Sequence, residues 1–511
     1  MKLLNCGVST IVACVTLMIT PPVAAQPACT PASFPVLPDL SIDSAVESSM
    51  PVAHCVVEGT IGTEIRFRLL LPENWNGKMV MGGDGGFAGT LNNQALSYST
   101  MGGENILVSG YATVSTDVGH TPGPGGSASW AMHNLERIVN YGHLAVHRTA
   151  VNAKALVSAF YGDQLRRSYF YGCSNGGREA MMESQRYPGD FDGIIAGAPA
   201  YNWTGLIAGF LANTQAMFPD ADELSEALLS AGELEIIERE VLARCDADDG
   251  LADGILNDPR NCSFDLDQLP ACSGVDADSC FTRQEIDAAR TVYQGPHTSS
   301  GEQLFKGFPF GGEPDTGGWT QWIAGGQQEG QRRGYPSLQA YFAVESMKYL
   351  YLNDPDFRYE NYDLDDYAAD TSTVGPTLSA TSHDLADFRA QGGKLLLYQG
   401  WSDAAISALG TIEYYEKLLE HDAAASNDVR LFMMPGVLHC AGGNGPYSVR
   451  FLEALDNWVE TGNAPSRLTA HFVEGSRPTE ESRPLCAYPE VAVYDGSGNT
   501  RDEASFSCAL P

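Results

Sequence analysis

The segment from Tyr169 to Glu179 constrains the fold of this chain more than any other. An aromatic, strand-like run ends at Gly172, and a corner of small residues leads into a helix-favouring segment, Arg178 to Arg186. Residues 172–176 form a G-x-S-x-G pattern, in which the turn between strand and helix is so tight that only glycine fits on either side of the serine. We therefore expect Ser174 at the C-terminal edge of a sheet, beside the first N–H groups of a helix. The pattern alone also arises by chance, and its flanking elements favour the functional interpretation.

The glycine-rich stretch Gly82 to Gly89 follows a strand candidate and can serve two purposes. It lacks the Gly-Lys-Ser/Thr ending of a nucleotide-binding loop, which argues against phosphate binding. In a hydrolase with a serine corner, such a loop places a backbone N–H opposite the nucleophile. The sequence thus predicts an oxyanion hole made by the N–H of Asn175 and one from the pair Gly85 and Gly86, with Gly86 as the candidate. A simple tight turn is the alternative.

A serine hydroxyl is a poor nucleophile unless a histidine accepts its proton and a carboxylate orients that histidine. In α/β-hydrolases these residues follow the chain order Ser, Asp or Glu, His, each just after a strand. Ser174, Asp403 and His439 fit both the order and the placement. Asp403 alone fits a turn aspartate, and His439 alone fits a buried structural histidine, so the prediction of a triad depends on their joint placement.

Two cysteines flank the predicted catalytic residues. Cys173 immediately precedes Ser174, and Cys440 immediately follows His439. If the serine and the histidine are in contact, the two cysteines are close enough for a disulfide that fixes the base beside the nucleophile. The bridge would close a long loop, which in the chain-entropy model contributes roughly 4 to 5 kcal/mol to stability.

The first 25 residues have the pattern of a secretory signal peptide. An apolar run from Ile11 to Ile19 is followed by Pro21 to Ala25, with small residues suited to cleavage before Gln26. No later segment has the roughly 20 uncharged apolar residues that a membrane span requires. We expect a secreted or periplasmic protein. Cys6 and Cys14 would leave with the signal, and the ten remaining cysteines of an exported chain predict five disulfides.

The charge balance limits the classes of partner. The 511 residues include 64 acidic and 30 basic side chains, which gives a formal net charge of −34 at pH 7. Such a surface repels nucleic acid and anionic membranes, so neither is expected as a partner. The sequence indicates no obligate protein partner either. The acidity is consistent with solubility in a salty or calcium-rich medium and does not identify a substrate.

Strand and helix candidates alternate along the chain, which predicts a parallel sheet with right-handed crossovers. A long amphipathic helix is expected from Leu135 to Phe160, and the stretch between Cys29 and Cys55 is expected to be loop-rich. The strand candidates are Glu64–Leu71, Lys78–Met81, Tyr111–Thr116, Ser168–Tyr171, Phe191–Ala196, Lys394–Gln399 and Val429–Met434.

The sequence pattern changes in residues 202–382, where helical segments alternate with glycine-rich loops and no strand pattern repeats. We interpret residues 26–201 and 383–511 as one α/β catalytic domain, and residues 202–382 as a lid inserted into it, because the strand pattern resumes afterwards. The helical segments expected in the lid are Asp222–Ala231, Leu234–Ala243 and Thr282–Tyr293.

The lid contains a crowded acidic segment that begins at Cys245 and ends near Cys262. Carboxylates at this spacing repel one another unless a hard cation neutralises them, and oxygen ligands suit Ca²⁺. The segment is not an EF-hand, because Gly250 occupies a ligand position and Asn257 replaces the closing glutamate. A solvated acidic turn is the alternative. The expected ligands are the carboxylates of Asp246, Asp249 and Asp253 and the carbonyls of Leu251 and Ile255. Because the loop is remote from the triad in sequence, we expect the ion to be structural.

Taken together, these motifs resemble the tannase and feruloyl esterase family over essentially the whole mature chain. The motifs are Gly172-Cys173-Ser174-x-Gly-Gly, Asp403 after a strand, Pro435-Gly436-x-x-His439-Cys440, the acidic loop, and Trp75-Asn-Gly77 before the glycine-rich loop. The resemblance implies an α/β-hydrolase core with a large lid that holds structural calcium, and the disulfide beside the triad. It implies four further disulfides, Cys29 with Cys55, Cys245 with Cys262, Cys272 with Cys280, and Cys486 with Cys508.

Family members cleave esters of aromatic acids such as ferulate and gallate, and one branch cleaves mono(2-hydroxyethyl) terephthalate. The resemblance therefore implies an exported serine esterase with no redox or nucleotide cofactor. The lid aromatics Trp319, Trp322 and Phe342 are candidates to stack on the acid's ring, although such residues are as often part of a core. Arg332 and Arg333 are candidates to neutralise a terephthalate carboxylate, although arginines in a glycine-rich loop are often simply exposed.

Three alternatives to a feruloyl or galloyl esterase remain at this stage. One is a hydrolase of terephthalate monoesters or other synthetic aromatic esters, and another is an acid peptidase, which amide substrates would distinguish. The third is a hydrolase fold that has lost catalysis and is kept for binding. The complete set of Ser174, Asp403 and His439 argues against a binding protein.

Overall fold

The computed structural model describes residues 27–162, 164–224, 227–272, 279–326 and 334–511. The expected signal peptide, 1–25, lies outside these ranges. The described chain contains the strands β1 (Leu40–Ser48), β2 (His54–Ile61), β3 (Ile65–Pro72), β4 (Lys78–Gly82), β5 (Ala112–Thr116), β6 (Arg167–Cys173), β7 (Gly193–Gly197), β8 (Lys394–Gly400), β9 (Val429–Met434), β10 (Ser448–Val449), β11 (Arg467–Glu474), β12 (Arg477–Cys486), β13 (Val491–Tyr494) and β14 (Phe506–Ala509).

Helices surround the sheet and form the lid. They are α1 (Leu135–Val139), α2 (Ala145–Tyr161), α3 (Asn175–Arg186), α4 (Trp203–Met217), α5 (Ala231–Cys245), α6 (Arg283–Gln294), α7 (Trp319–Trp322), α8 (Leu338–Glu345), α9 (Tyr367–Thr371), α10 (Gly375–Leu378), α11 (Ala386–Ala390), α12 (Ala408–His421) and α13 (Phe451–Thr461). The long helix expected from Leu135 to Phe160 is present, with a wider π-helical turn, Asn140–Leu144, between α1 and α2.

Nine strands form one sheet in the order β1-β2-β3-β5-β4-β6-β7-β8-β9. The six strands from β5 to β9 in this order pair in parallel, as predicted, and β1, β2, β3 and β5 pair antiparallel. The central strand β7 is buried along its whole length, because helices cover both faces of a parallel sheet. The stretch between Cys29 and Cys55, which is expected to be loop-rich, also contains the half-exposed edge strand β1, which the sequence did not predict.

Apolar side chains fill both faces of the sheet. Neighbouring residues of β6 point in opposite directions, so Phe170 belongs to one buried cluster while Tyr169 and Tyr171 belong to the other. The first cluster extends into the lid, and the second is closed by α13, which contributes the fully buried Trp458. The sheet therefore positions the loops at its C-terminal edge beneath the lid.

The chain leaves the main sheet after β7 and returns to it at β8, the neighbouring strand, and the expected lid, 202–382, lies within this interval. Its described residues supply no strand to the sheet. Two predicted lid helices correspond to α5 and α6, and each begins with a capping box, Ser230 with Glu233 and Thr282 with Glu285. The helix expected from Asp222 to Ala231 is wrong, because residues 222–224 and 227–230 are not helical, Ser230 caps α5, and only Ala231 belongs to that helix.

All five predicted disulfides are present. The bridges join Cys29 to Cys55, Cys173 to Cys440, Cys245 to Cys262, Cys272 to Cys280, and Cys486 to Cys508. The last of these fastens β14, which pairs with β13, to the end of β12. Within the described ranges, no helix is both long enough and apolar enough to cross a bilayer.

Candidate active site

Ser174 sits at the predicted corner between β6 and α3. Its backbone has a φ of 66° and a ψ of −122°, a conformation that L-residues rarely adopt. A Cβ atom at Gly172 would lie 2.3 Å from the carbonyl oxygen of Gly176, so the corner closes only with glycine at position 172. The Ser174 N–H donates to the carbonyl of Gly197 at the end of β7, at 3.1 Å. These contacts hold the serine at the edge of the sheet.

Asp403 and His439 meet beside this corner. Asp403 follows β8, His439 follows β9, and the imidazole Nδ1 lies 2.9 Å and 3.1 Å from the two carboxylate oxygens. A carboxylate at neutral pH accepts, so Nδ1 donates, which leaves Nε2 with the lone pair that a general base needs. Ser174 and His439 line the same cavity. The structure therefore brings the three predicted residues into one site.

The carboxylate of Asp403 is fixed by further donors. It is 2% exposed, and its Oδ1 accepts hydrogen bonds from the N–H groups of Ala405 and Ile406, both at 2.8 Å. Its Oδ2 accepts from Gln399 Nε2 at 2.9 Å, and the Thr411 hydroxyl donates to the side-chain Oε1 of Gln399. Neither Gln399 nor Thr411 was predicted from the sequence. The only signal in the sequence was that Gln399 is a polar residue near the end of the otherwise apolar strand β8.

The predicted bridge between Cys173 and Cys440 is present, with the two Cα atoms 6.0 Å apart. The Cys440 sulfur lies 3.7 Å from Nε2 of His439. Because Cys173 ends β6 and Cys440 follows His439, the bridge connects the strand that precedes Ser174 covalently to the loop that carries His439.

The predicted oxyanion residues lie close to one another. Gly86 lines the cavity together with Ser174, and its φ of 58° favours glycine. The neighbouring Gly85 N–H donates to Asp84 Oδ1 at 2.7 Å, which leaves Gly86 as the candidate donor of the pair. Asn175 begins α3, so its N–H has no acceptor within the helix. Its side-chain amide donates to the Asp84 carbonyl at 3.2 Å and so connects the start of α3 to the glycine-rich loop.

The cavity above Ser174 has a volume of about 640 Å³ and an aromatic wall. Trp322 and Phe342, both predicted to contact substrate, line it. Their rings are nearly parallel with centroids 6.1 Å apart, and Trp322 also meets the His439 ring edge to face at 5.0 Å. Phe87 and Tyr341 belong to the same wall and were missed. Phe87 lies in the glycine-rich loop, and a large apolar residue in such a loop is a signal in the sequence for a residue that lines the site.

Three other residues predicted to contact the substrate do not line the described cavity or lie outside the described residues. Trp319 is not among the residues that line the cavity; it is 2% exposed and packs against Tyr293, with centroids 5.0 Å apart. It belongs to the core of the lid. Arg332 and Arg333 lie outside the described residues.

The acidic loop follows α5, and its carboxylates accept hydrogen bonds from the loop's own backbone. Asp249 accepts from the N–H groups of Leu251 and Asn257, each at 3.0 Å. Burial raises the pKa of Asp249, and the charges of Asp253 and Asp246 raise it further. In the described part of the chain, no three or more His, Cys, Asp or Glu side chains converge in an arrangement that holds a metal ion. The five expected ligands therefore remain a prediction.

Comparisons with known proteins bear on the family of this chain. The family description "Tannase and feruloyl esterase" matches residues 49–509. An uncharacterised esterase of Xanthomonas campestris pv. campestris is 34% identical over 91% of this chain and 86% of its own length. Mono(2-hydroxyethyl) terephthalate hydrolase of Piscinibacter sakaiensis is 33% identical over 93% of this chain and 87% of its own.

A solved structure has the same overall fold. The crystal structure of feruloyl esterase B from Aspergillus oryzae superposes with a TM-score of 0.81 at 25% identity, and the match covers 94% of this chain and all of the other. The α/β-hydrolase core and the lid therefore recur together in a protein of similar extent.

Proposed function

Since this chain belongs to the tannase and feruloyl esterase family and is a carboxylic ester hydrolase, we propose that it cleaves esters of aromatic acids through Ser174, His439 and Asp403. The observation that carries the proposal is the hydrogen-bonded pair of His439 and buried Asp403 beside Ser174, beneath a wall of aromatic rings. A feruloyl or galloyl ester is the expected substrate class.

The proposed reaction has two steps. Nε2 of His439 takes the proton of the Ser174 hydroxyl as the oxygen attacks the ester carbonyl, and the oxyanion that forms accepts from the N–H groups of Asn175 and Gly86. The intermediate collapses with loss of the alcohol, which leaves with the proton from His439. A water molecule then attacks the acyl-enzyme, again giving its proton to His439. Collapse of the second intermediate returns this proton to Ser174 and releases the acid.

The aromatic wall supports an aromatic acyl group. Trp322, Phe342, Phe87 and Tyr341 offer flat apolar surfaces close to the nucleophile. A phenolic acid ring that packs between such surfaces gains from apolar burial and offset stacking, each pair contributing about 0.5 to 1.5 kcal/mol beyond the area buried. We expect Trp322→Ala to raise KM for methyl ferulate more than for ethyl acetate.

A terephthalate monoester is the second candidate substrate. The observation in its favour is the relative named mono(2-hydroxyethyl) terephthalate hydrolase, at 33% identity. The free carboxylate of such a substrate needs a cationic partner, and Arg332 and Arg333 are the residues we expect to supply it. Replacement of both by glutamine would then lower kcat/KM for this ester and leave that for methyl ferulate unchanged.

The proposal is tested by measuring kcat/KM for methyl ferulate, methyl gallate and mono(2-hydroxyethyl) terephthalate with wild type and Ser174→Ala. We expect the substitution to reduce turnover by about 10⁵-fold or more while the melting temperature stays within a few degrees. Residual activity within a factor of ten of wild type would remove Ser174 from the mechanism. If wild type cleaves small aliphatic esters and none of the three aromatic esters, the aromatic specificity is wrong and the triad stands.

We further propose that the protein is exported. Five disulfides support this, because such bridges persist in oxidising compartments. The expected mature N-terminus is Gln26, which mass spectrometry of the protein recovered from its natural host would identify. A mature protein that begins at Met1 would contradict the proposal.

We also propose that the acidic loop binds one structural Ca²⁺. The donor set is all oxygen, and mutual repulsion among its carboxylates contributes to the raised pKa of Asp249, a cost that a bound cation would remove. The expected ligands are those predicted from the sequence, Asp246, Asp249 and Asp253 with the carbonyls of Leu251 and Ile255. We expect excess EDTA to lower the melting temperature by about 5 °C or more and added Ca²⁺ to restore it. A melting temperature independent of both, after prolonged dialysis against chelator, would overturn the proposal.

A further inference from the structure

The loop after β4 is held from behind by hydrogen bonds to four consecutive carbonyl groups, those of residues 84 to 87. The donors are Asn175 Nδ2 to Asp84 O at 3.2 Å, Ala88 N to Gly85 O at 2.9 Å, Tyr141 Oη to Gly86 O at 3.0 Å, and His120 Nε2 to Phe87 O at 2.9 Å. Two of these donors, His120 and Tyr141, are side chains with no role in the proposed mechanism so far.

These carbonyl contacts decide where the N–H groups of the loop point. The C=O and N–H of one trans peptide unit point in opposite directions. The Gly85 carbonyl therefore sets the direction of the Gly86 N–H, and the Gly86 carbonyl sets that of the Phe87 N–H. Gly86 and Phe87 both line the cavity above Ser174. The Tyr141 contact fixes the Gly86–Phe87 peptide unit, and the Ala88 contact fixes the Gly85–Gly86 unit that carries the Gly86 N–H. Both peptide units that flank the Gly86 Cα are therefore held from the far side of the loop.

His120 is connected to the Gly86 N–H by two successive peptide units. Its Nε2–H donates to the Phe87 carbonyl, whose peptide unit also carries the Ala88 N–H. The Ala88 N–H donates to the Gly85 carbonyl, whose peptide unit carries the Gly86 N–H. Aligned hydrogen bonds of this kind polarise one another, so the first donor strengthens the last. This series of hydrogen bonds and peptide units runs from His120 to the Gly86 N–H, the proposed oxyanion donor.

The His120 ring is rigidly placed and uncharged. It is 2% exposed and stacks on Trp130, with centroids 3.6 Å apart and an interplanar angle of 15°. Burial lowers the pKa of His120 to about 4, so the imidazole is neutral at neutral pH. Because the Phe87 carbonyl only accepts, the single proton of the neutral ring is on Nε2.

Tyr141 is fixed by the helix that carries the nucleophile's neighbour. It lies in the π-helical turn Asn140–Leu144, and its ring stacks against the Arg178 guanidinium at 4.5 Å. The Tyr141 carbonyl accepts from Arg178 Nη2 at 2.8 Å, and the same nitrogen donates to Asn175 Oδ1 at 2.7 Å. The buried Arg178 therefore orients Tyr141, which donates to the Gly86 carbonyl. It also orients the Asn175 side chain, which donates to the Asp84 carbonyl.

We propose that His120 and Tyr141 are positioning residues for the oxyanion hole. Both are buried behind the loop and act on the reacting ester only through backbone N–H groups. The inference rests on the proposed function and deepens it. Because the oxyanion forms only during the two chemical steps, loss of either contact lowers kcat and leaves KM nearly unchanged.

The first test compares Tyr141→Phe with Tyr201→Phe, measured as kcat and KM on the best ester together with the melting temperature. Tyr201 is a matched control, since its buried hydroxyl donates to the Gly410 carbonyl at 2.9 Å, away from the loop. Removal of a whole oxyanion donor costs about 10²- to 10³-fold, so misdirection of one should cost about tenfold. We expect Tyr141→Phe to lower kcat about tenfold, with KM within twofold, and Tyr201→Phe to leave kcat unchanged at a similar loss of melting temperature.

The second test compares His120→Phe with His120→Gln. Phenylalanine keeps the stack on Trp130 and removes the donor, whereas glutamine offers an amide N–H to the Phe87 carbonyl. We expect His120→Phe to lower kcat more than His120→Gln, when both are assayed at a temperature where circular dichroism shows them folded. If both unfold, the tyrosine pair decides the inference.

Two results would overturn the proposal. The first is a kcat of Tyr141→Phe within twofold of that of Tyr201→Phe, whether both are high or both are low. The second is a loss that appears in KM alone, which would indicate a role in ground-state binding. In either case an inactive Ser174→Ala variant would leave the proposed function intact, whereas a wild type without esterase activity would remove the proposed function itself.

Discussion

Two parts of the molecule combine a disulfide with aspartates, and they differ in what those aspartates contact. Beside the corner that carries Ser174, Asp403 is buried, and its oxygens accept from two backbone N–H groups, Gln399 and the His439 imidazole. In the acidic loop, several aspartates lie partly exposed on one short segment closed by Cys245 and Cys262, and they bond mainly to its backbone.

The difference shows that the groups around a carboxylate determine its role. A single buried carboxylate with three fixed donors has one remaining function, which is to orient one imidazole and stabilise its positive charge. In the acidic loop, burial raises the pKa of Asp249, and the neighbouring charges of Asp253 and Asp246 raise it further. This crowding is the reason for which we propose a shared cation there. We therefore expect the first region to control rate and the second to control stability.

The largest predicted difference in kcat is between two substitutions of aspartate by asparagine, one in each region. Asp403→Asn should lower kcat about 10⁴-fold, because the amide no longer stabilises the imidazolium or selects its tautomer. Asp249→Asn should keep kcat within about twofold in excess Ca²⁺ and reduce the stabilisation that Ca²⁺ provides. Steady-state kinetics and melting curves with and without EDTA measure both. If Asp249→Asn lost activity while folded, the separation of the two regions would be wrong.

Removal of each disulfide should give an intermediate effect. Replacement of Cys173 and Cys440 by serine frees the loop that carries His439, so we expect kcat to fall about tenfold or more at temperatures where the variant is folded. Replacement of Cys245 and Cys262 by serine should lower the melting temperature and weaken Ca²⁺ binding without changing kcat. Calorimetry and kinetics on both pairs test this, and equal kcat values for the two variants would contradict it.

The smallest effect concerns the contact between the acidic loop and β12. Arg483 forms an ion pair with Asp253, and its positive charge opposes a cation at the same carboxylate. We expect Arg483→Gln to tighten Ca²⁺ binding by about threefold, which is the scale of a partly exposed ion pair. Isothermal titration calorimetry on the chelator-treated protein measures the change, with Arg501→Gln, a nearby exposed arginine, as the control. Weaker binding in Arg483→Gln would indicate that the arginine organises the loop.

The residues of the site that the sequence revealed are those with a local signature. The corner at Ser174 follows from glycine spacing, and Asp403 and His439 follow from their positions just after apolar strands. The bridge between Cys173 and Cys440 follows because each cysteine adjoins a predicted catalytic residue. In each of these cases the structural constraint involves residues that are close together in the sequence, so a short sequence pattern can predict it.

The residues that the sequence did not reveal act across long separations. Tyr141 and His120 reach the loop at residues 84–87 from other elements, and nothing in their neighbouring sequence indicates a carbonyl partner. Trp319 and Trp322 belong to one short helix, yet only Trp322 faces the cavity, because the lid's packing decides which side of that helix is covered. The edge strand β1 was missed because its half-exposed residues lack a continuous apolar run.

The bond between Cys173 and Cys440 also determines what a protease can do to this molecule. The two cysteines are 267 residues apart, and the chain between them, which includes the lid, forms a covalent ring. A single cut at an exposed site such as residues 299–302 would place Ser174 on one fragment and Asp403 with His439 on the other. The fragments would stay joined, so a nicked molecule keeps its nucleophile and base together until the bridge is reduced.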